Sequence, residues 1–301
     1  MLKINRGIVA ALWIPTDPEG RVLDGALARQ IGFIRANGAD AILALGSTGE
    51  FVHFSEADRA ALLARVVELA APLPVMANVS DVSPRVARRL AQLAEKVGCA
   101  SIAVLPPWYF AVGQEDLLAF FLRVAEATTL PTLLYNFPER TGNRIAIETI
   151  AAFTERAPMA GVKQSGAEFT YHQELIALGR QRNFPVFTGA DLRLPETLGL
   201  GCAGTISGLA NLTPDLLRDL FQAWTAGHTD RVAAVDRRIK RVGEIICQLP
   251  FPIDVSAGVL ARGLEPGAHK SVVSAATQQR YDRVAAEMRA QFAEWGLAPA
   301  A

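Results

Sequence analysis

Short, nearly unbroken apolar runs alternate with longer stretches in which apolar residues recur every three to four positions. An unbroken apolar run bounded by Gly or Pro predicts a strand covered on both faces, and apolar residues at helical spacing predict an amphipathic helix. The first run, residues 7–14, stops at Pro15 and a turn-like 16–20 segment. Asp24 is placed to cap a helix through about Asn37, with Leu27, Ile31 and Ile34 on one face and Gly38 as its stop. A second strand covers 41–45, and Ser55 caps the next helix with Asp58 at its third position. Further strands are expected over 74–79, 101–105 and 132–136, from Met159 onward, and over 186–188 and 204–207. Helices fall between them: Ser83 caps one opening at Pro84 and reaching Val97, followed by 114–127, 146–156, 169–178 and 192–200.

By residue 226 this makes eight strand-then-helix units at intervals of about 25 to 30 residues. Continuously apolar strands alternating with helices imply a parallel sheet, and eight units in this length imply an α/β fold of the closed (β/α)8 TIM-barrel type. An open doubly wound sheet is the weaker alternative, because no G-x-G-x-x-G motif follows the first strand. The expected division is a catalytic barrel over residues 1–226 and a C-terminal helical subdomain over 227–301, with helices near 229–247, 256–263 and 275–295 and a break at Pro250 and Pro252.

Composition narrows the class. The chain has 301 residues, half of them hydrophobic, and 30 basic residues balance 30 acidic ones. No basic excess or Lys/Arg run points to nucleic acid, and no apolar run approaches a membrane span. Cys99, Cys202 and Cys247 are scattered, and the four histidines form no HxxH or HExxH pattern, so a metal site is not expected. These features predict a cytoplasmic protein.

The unusual residues cluster where strands end, which in a (β/α)8 barrel is where active sites lie. Gly46-Ser47-Thr48-Gly49-Glu50 follows strand two, Trp108 and Tyr109 follow strand four, Tyr135 ends strand five with Arg140 just beyond, and Gly189 ends strand seven. Strand six carries Lys163 where an apolar residue is expected. Taken singly, each has an ordinary reading. Lys163 is also what a frayed strand end would carry, Arg140 could pair with Glu139, and Asp191 could be a helix cap. Jointly they form a set for imine chemistry on a keto acid. A buried lysine is a nucleophile toward ketones, a phenol moves protons, and hydroxyls and amides hold a carboxylate.

Gly46-Ser47-Thr48-Gly49-Glu50, Tyr135-Asn136-Phe137-Pro138 and Gly161-Val162-Lys163, in this order and spacing, resemble the dihydrodipicolinate synthase/N-acetylneuraminate lyase family, and the resemblance spans the chain. It implies a TIM barrel, a class I pyruvate-dependent lyase or aldolase without metal, and a homotetramer built from tight dimers. Lys163 would form the imine with pyruvate or another 2-keto acid, and Tyr135 would relay protons. Ser47 and Thr48 would supply the hydroxyl pair for proton relay and carboxylate binding, and Tyr109 would reach a neighbour's site. Gly189 and Ile206 would line the pyruvate pocket, and Arg140 would hold the carboxylate of an aldehyde substrate. The sequence also departs from the family pattern. Ser47 and Gln164 are closer to the sialic acid lyases, which carry no arginine at the position of Arg140. The 250–256 stretch lacks a lysine common among synthases, and Val82 stands where lysine-inhibited synthases have asparagine, which speaks against feedback inhibition by lysine.

The reading is therefore condensation of pyruvate with an aldehyde, or the reverse cleavage. The dihydrodipicolinate synthase reaction is ranked first, a 2-keto-3-deoxy sugar acid aldolase or dehydratase second, and N-acetylneuraminate lyase third. A catalytically silent keto-acid sensor is the alternative from another class, and it would be expected to have lost Lys163 or Tyr135. A metal-dependent aldolase finds no ligand set at the strand ends.

Overall fold

The computed structural model describes residues 4–297. Eight strands, β1 (Gly7–Ala11), β2 (Ala41–Ala44), β3 (Val75–Asn78), β4 (Ser101–Val104), β5 (Thr132–Asn136), β6 (Met159–Gln164), β7 (Val186–Thr188) and β8 (Gly204–Ser207), pair in parallel in chain order. The last closes on the first, with Gly7 opposite Gly204 and Val9 opposite Ile206. The expected (β/α)8 barrel is the fold. Strands five, seven and eight match their expected bounds, whereas β1 ends three residues early, at Ala11.

The barrel helices are α1 (Asp24–Ala36), α2 (Glu56–Ala70), α3 (Pro84–Lys96), α4 (Gln114–Ala125), α5 (Pro138–Thr141), α6 (Ile147–Thr154), α7 (Phe169–Arg182), α8 (Leu194–Leu200) and α9 (Pro214–Thr225). Ser55 and Asp58 form the expected reciprocal capping box at α2. Two other caps differ from expectation. Leu23 holds the cap position of α1, with Asp24 as the first helical residue, where its charge favours the positive end of the helix dipole. Ser83 flanks α3 without a side-chain cap bond, and Asp81 accepts its amide at 2.9 Å instead.

Three C-terminal helices follow: α10 (Thr229–Ile246), α11 (Ile253–Ala261) and α12 (Ala275–Glu294). α11 starts three residues before its expected start at Ser256, with Pro252 at its cap position. The Ser256 hydroxyl lies inside the helix, 3.0 Å from the Tyr281 hydroxyl of α12. α10 packs on α9 and α11 on α12, and one apolar core runs from Ile8 in β1 to Phe292 in α12. Val255 of α11 lies 3.6 Å from the Cβ position of Gly208, just past the end of β8, which sets α11 against the C-terminal mouth of the barrel.

Candidate active site

Strand register assembles the centre of the site. Tyr135 pairs with Lys163, and Lys163 with Phe187. Partners in a parallel ladder present their side chains on the same face. Phe187 in turn pairs with Gly204, and Ile206, two residues on, shares that face. Lys163 is 4 % exposed, and its Nζ lies 4.2 Å from the centroid of the Tyr135 ring. The Tyr135 hydroxyl is 3.4 Å from the Ser47 hydroxyl, and its ring stacks on Phe137 at 6.1 Å. Burial pushes the Tyr135 phenol up, but the Lys163 charge and the Ser47, Lys163 and Ser165 side chains outweigh it, so the phenol lies below its ordinary value. A phenol easier to ionise than usual, touching a buried amine, is suited to moving protons.

The Gly46–Glu50 loop is built to hold a fixed shape. Leu45 and Glu50 both adopt left-handed backbone, with φ of 58° and 56°. The Asn78 amide donates to the Leu45 carbonyl at 2.6 Å, and Ser80 donates to Asn78 at 2.6 Å. A Cβ on Gly49 would meet the Leu12 carbonyl at 2.7 Å, so glycine is required there. The amides of Gly49 and Glu50 close onto the carbonyls of Gly46 and Ser47, leaving the Ser47 and Thr48 amides without a backbone partner among the described residues. Two free amides beside two hydroxyls are donors for a carboxylate. Gly189 leaves similar room: a Cβ there would strike the Ser165 hydroxyl at 2.3 Å.

Glu50 anchors this loop. Its carboxylate accepts from Lys270 Nζ at 3.0 Å, and the same ammonium donates to the Ile14 carbonyl at 2.7 Å and lies 4.2 Å over the Trp13 ring. The two side chains are 3 % and 8 % exposed. Removing one partner of such a pair strands a buried charge. Lys270→Met is therefore expected to destabilise the chain by about 3–5 kcal/mol in urea unfolding. A change below about 1 kcal/mol would show the pair to be solvated.

The other expected residues are distributed as follows. Thr48 is buried, with its hydroxyl 3.5 Å from the Cβ position of Gly208. Arg140 sits in the helical turn α5, not in open loop. It does not pair with Glu139, which accepts the Ala167 amide at 2.7 Å. Its guanidinium lies over Phe137 and Phe251, at 5.9 and 5.4 Å. Tyr109 is not brought to Lys163 within one chain. It is 87 % exposed, has φ of 83°, and packs edge-on against the exposed Phe110. Left-handed backbone at a bulky residue is an outlier that usually marks a functional constraint.

Two cavities open beside this centre. One of about 570 Å³ is lined by Ser165, Gly189, Asp191, Phe251 and Asp254 among others, and one of about 270 Å³ by Ser47, Trp108, Arg140 and Phe251. Ser165 and Asp254 carried no signal in the sequence, and Asp191, read there as a possible helix cap, does not hold a cap position. Ser165 reaches Tyr135 only because β6 runs on past Lys163. Asp191 is buried, accepting 2.7 Å bonds from the Thr205 and Ser207 hydroxyls; burial raises its carboxyl above the usual range against those bonds. Asp254 lies within a stretch read only as a helix break. Among the described residues no three His, Cys, Asp or Glu side chains gather as a metal site, and no helix is long and apolar enough to cross a membrane.

The fold is a closed (β/α)8 barrel with a buried lysine and phenol at its strand ends, and by its family the protein is a lyase of the class I aldolase type. The chain belongs to the dihydrodipicolinate synthetase family, whose model matches residues 4–291. The 4-hydroxy-tetrahydrodipicolinate synthase of Methylococcus capsulatus is 31 % identical over 260 residues, covering 86 % of this chain and 89 % of that protein. Among solved structures, YagE from E. coli K12, a prophage protein of the dihydrodipicolinic acid synthase family in complex with pyruvate, superposes with a TM-score of 0.88 at 24 % identity, covering 98 % of this chain and all of that one. The 2-keto 3-deoxygluconate aldolase from Picrophilus torridus superposes with a TM-score of 0.81 at 24 % identity, covering 88 % of this chain and 95 % of that one.

Proposed function

We propose that this protein condenses pyruvate with an aldehyde, or catalyses the reverse cleavage, through an imine on Lys163. The observation that carries the reading is the buried Lys163 amine 4.2 Å over the Tyr135 ring, whose hydroxyl meets Ser47. The amine adds to the ketone carbon of pyruvate and water leaves. Loss of a methyl proton then gives an enamine. The enamine carbon bonds to the aldehyde carbon, and the aldehyde oxygen takes up a proton. Water finally hydrolyses the imine and frees Lys163. Tyr135 moves these protons, assisted by Ser47 and by Tyr109 of a neighbouring copy. Thr48 and the free loop amides hold the pyruvate carboxylate, with Gly189 and Ile206 lining its pocket. The reaction is carried by the covalent imine and calls for no metal. Borohydride reduction in the presence of pyruvate should fix a pyruvyl adduct on the peptide containing Lys163. Peptide mapping that finds no adduct there would end the imine mechanism.

For the second substrate the leading assignment is a 4-hydroxy-tetrahydrodipicolinate synthase-like reaction. It is supported by the similarity to the Methylococcus protein and by Arg140, a cation without a carboxylate partner among the described residues. The roomy cavity beside Gly189 and the fold shared with a 2-keto 3-deoxygluconate aldolase favour a hydroxylated sugar acid as the second reading. Arg140→Ala should raise KM for acidic aldehydes by roughly 10- to 100-fold, the worth of a charge-assisted bond, and leave neutral aldehydes nearly unchanged. Equal effects on both would remove Arg140 from specificity. The rest of the reading is a cytoplasmic homotetramer built from tight dimers, with a catalytic barrel over 1–226 and a helical extension over 227–301. The exposed Tyr109 and Phe110 support that assembly as a surface for a second copy.

A further inference from the structure

Two opposite charges stand beside the imine site without an ion-pair partner among the described residues. Arg140 spends its guanidinium on the faces of Phe137 and Phe251. Asp254, in the first turn of α11, is only 9 % exposed. One of its oxygens accepts the Val255 amide at 2.7 Å, and the other has no hydrogen-bond partner among the described residues. Phe251 lines both cavities, so its ring stands at the boundary between the Arg140 side and the Asp254 side.

The other ionisable groups around the larger cavity are already engaged or neutral. Asp191 has both oxygens occupied by the Thr205 and Ser207 hydroxyls. Glu139 holds the Ala167 amide, and Arg193 is paired with Glu196 at 2.7 Å. His172 is kept neutral, its pKa lowered to about 4 by burial and by the Arg193 charge. Cys247 is held in its thiol form by burial and by the Asp254 charge. Glu139 is exposed to solvent, so Asp254 is the buried carboxyl with an open oxygen among the described residues, and Arg140 is the cation within electrostatic reach of it. A carboxylate buried without a cation is costly, and a bound cation offsets that cost.

We propose that Asp254 is a specificity-determining residue that binds an ammonium group on the second substrate while Arg140 binds its carboxylate, so that the site selects an aldehyde carrying both charges over one carrying the acid alone. The assignment rests on the imine reading above, since it concerns what the enamine meets. A zwitterion matches a site whose two open charges cancel, whereas a plain acid leaves Asp254 unpaired and repelling. Burial raises the Asp254 carboxyl to about 6, against the pull of the Val255 amide and Arg140. Above that pH it is charged and reads a cation, and as pH falls through about 6 it takes up a proton and the preference fades.

The test compares aspartate semialdehyde with succinate semialdehyde, which keeps the aldehyde and the acid but lacks the ammonium, each with pyruvate and the full chain. At pH near 8, wild type should favour the amino aldehyde in kcat/KM by on the order of 10-fold or more, the worth of a bond to a charged group. Asp254→Asn should remove most of that preference through KM for the amino aldehyde, leaving the plain acid within about twofold. In wild type the ratio between the two aldehydes should fall as pH is lowered from about 8 to about 5. This second readout decides the matter if the variant does not fold. A wild-type ratio near one, equal losses on both aldehydes, or a neutral hydroxyaldehyde outrunning both would overturn the assignment. Borohydride trapping of pyruvate is run in parallel. Its failure in wild type would count against the imine, whereas an intact adduct with an unchanged aldehyde ratio would count against Asp254 alone.

Discussion

Lys163→Met is expected to abolish the borohydride-fixed pyruvate adduct and to lower kcat/KM by roughly three orders of magnitude or more. The variant separates chemistry from folding. Lys163 is almost fully buried between Tyr135 and Phe187, so methionine fills a similar volume and removes a buried charge. Thermal stability should hold or rise, because a buried amine costs desolvation that a thioether does not. Lys163→Arg keeps a cation but offers no imine-forming amine, and it should be equally inactive. Activity retained by the arginine variant would reduce Lys163 to an electrostatic aid. A spectroscopic sign accompanies the loss. The Lys163 charge opposes the effect of burial on the Tyr135 phenol, so the methionine variant should ionise Tyr135 at higher pH in ultraviolet difference spectra.

Much of this arrangement could be read from the residues in order. Strands buried on both faces are continuous apolar runs ended by Pro or Gly, so 132–136 and 186–188 announce both their type and their bounds. A lysine inside such a run stands out, and the eight-unit period places it at the catalytic end of a barrel. Less legible were features set by partners distant in sequence. Lys270 looks like any surface lysine until the chain returns across the mouth and lays it against Glu50, more than two hundred residues away. Asp254 sits between a proline break and an expected helix start, and only the packing of α11 over the barrel buries its carboxyl. Short helical turns such as α5 leave no periodic signal, so Arg140 read as loop. Tyr109, expected to reach a neighbour's site, is turned out to solvent within one chain.

Tyr135→Phe is expected to lower kcat by roughly 10²- to 10⁴-fold, the usual worth of a positioned proton carrier, while pyruvate can still be fixed to Lys163. Phenylalanine preserves the stack on Phe137 and the ring beneath the lysine and deletes only the hydroxyl that meets Ser47. The loss should appear in kcat more than in the KM for pyruvate, since the carboxylate is assigned to Thr48 and the loop amides rather than to the phenol. Ser47→Ala should cost less, on the order of 10-fold, because its hydroxyl acts through Tyr135. The 3.4 Å separation of the two hydroxyls is long for such a bond and leaves room to shorten once the imine forms. Two residues on one proton path are not independent, so the double variant should be little worse than Tyr135→Phe alone. If the two losses instead multiplied in full, Ser47 would act on the substrate by a separate route, and the relay from Ser47 through Tyr135 would fall.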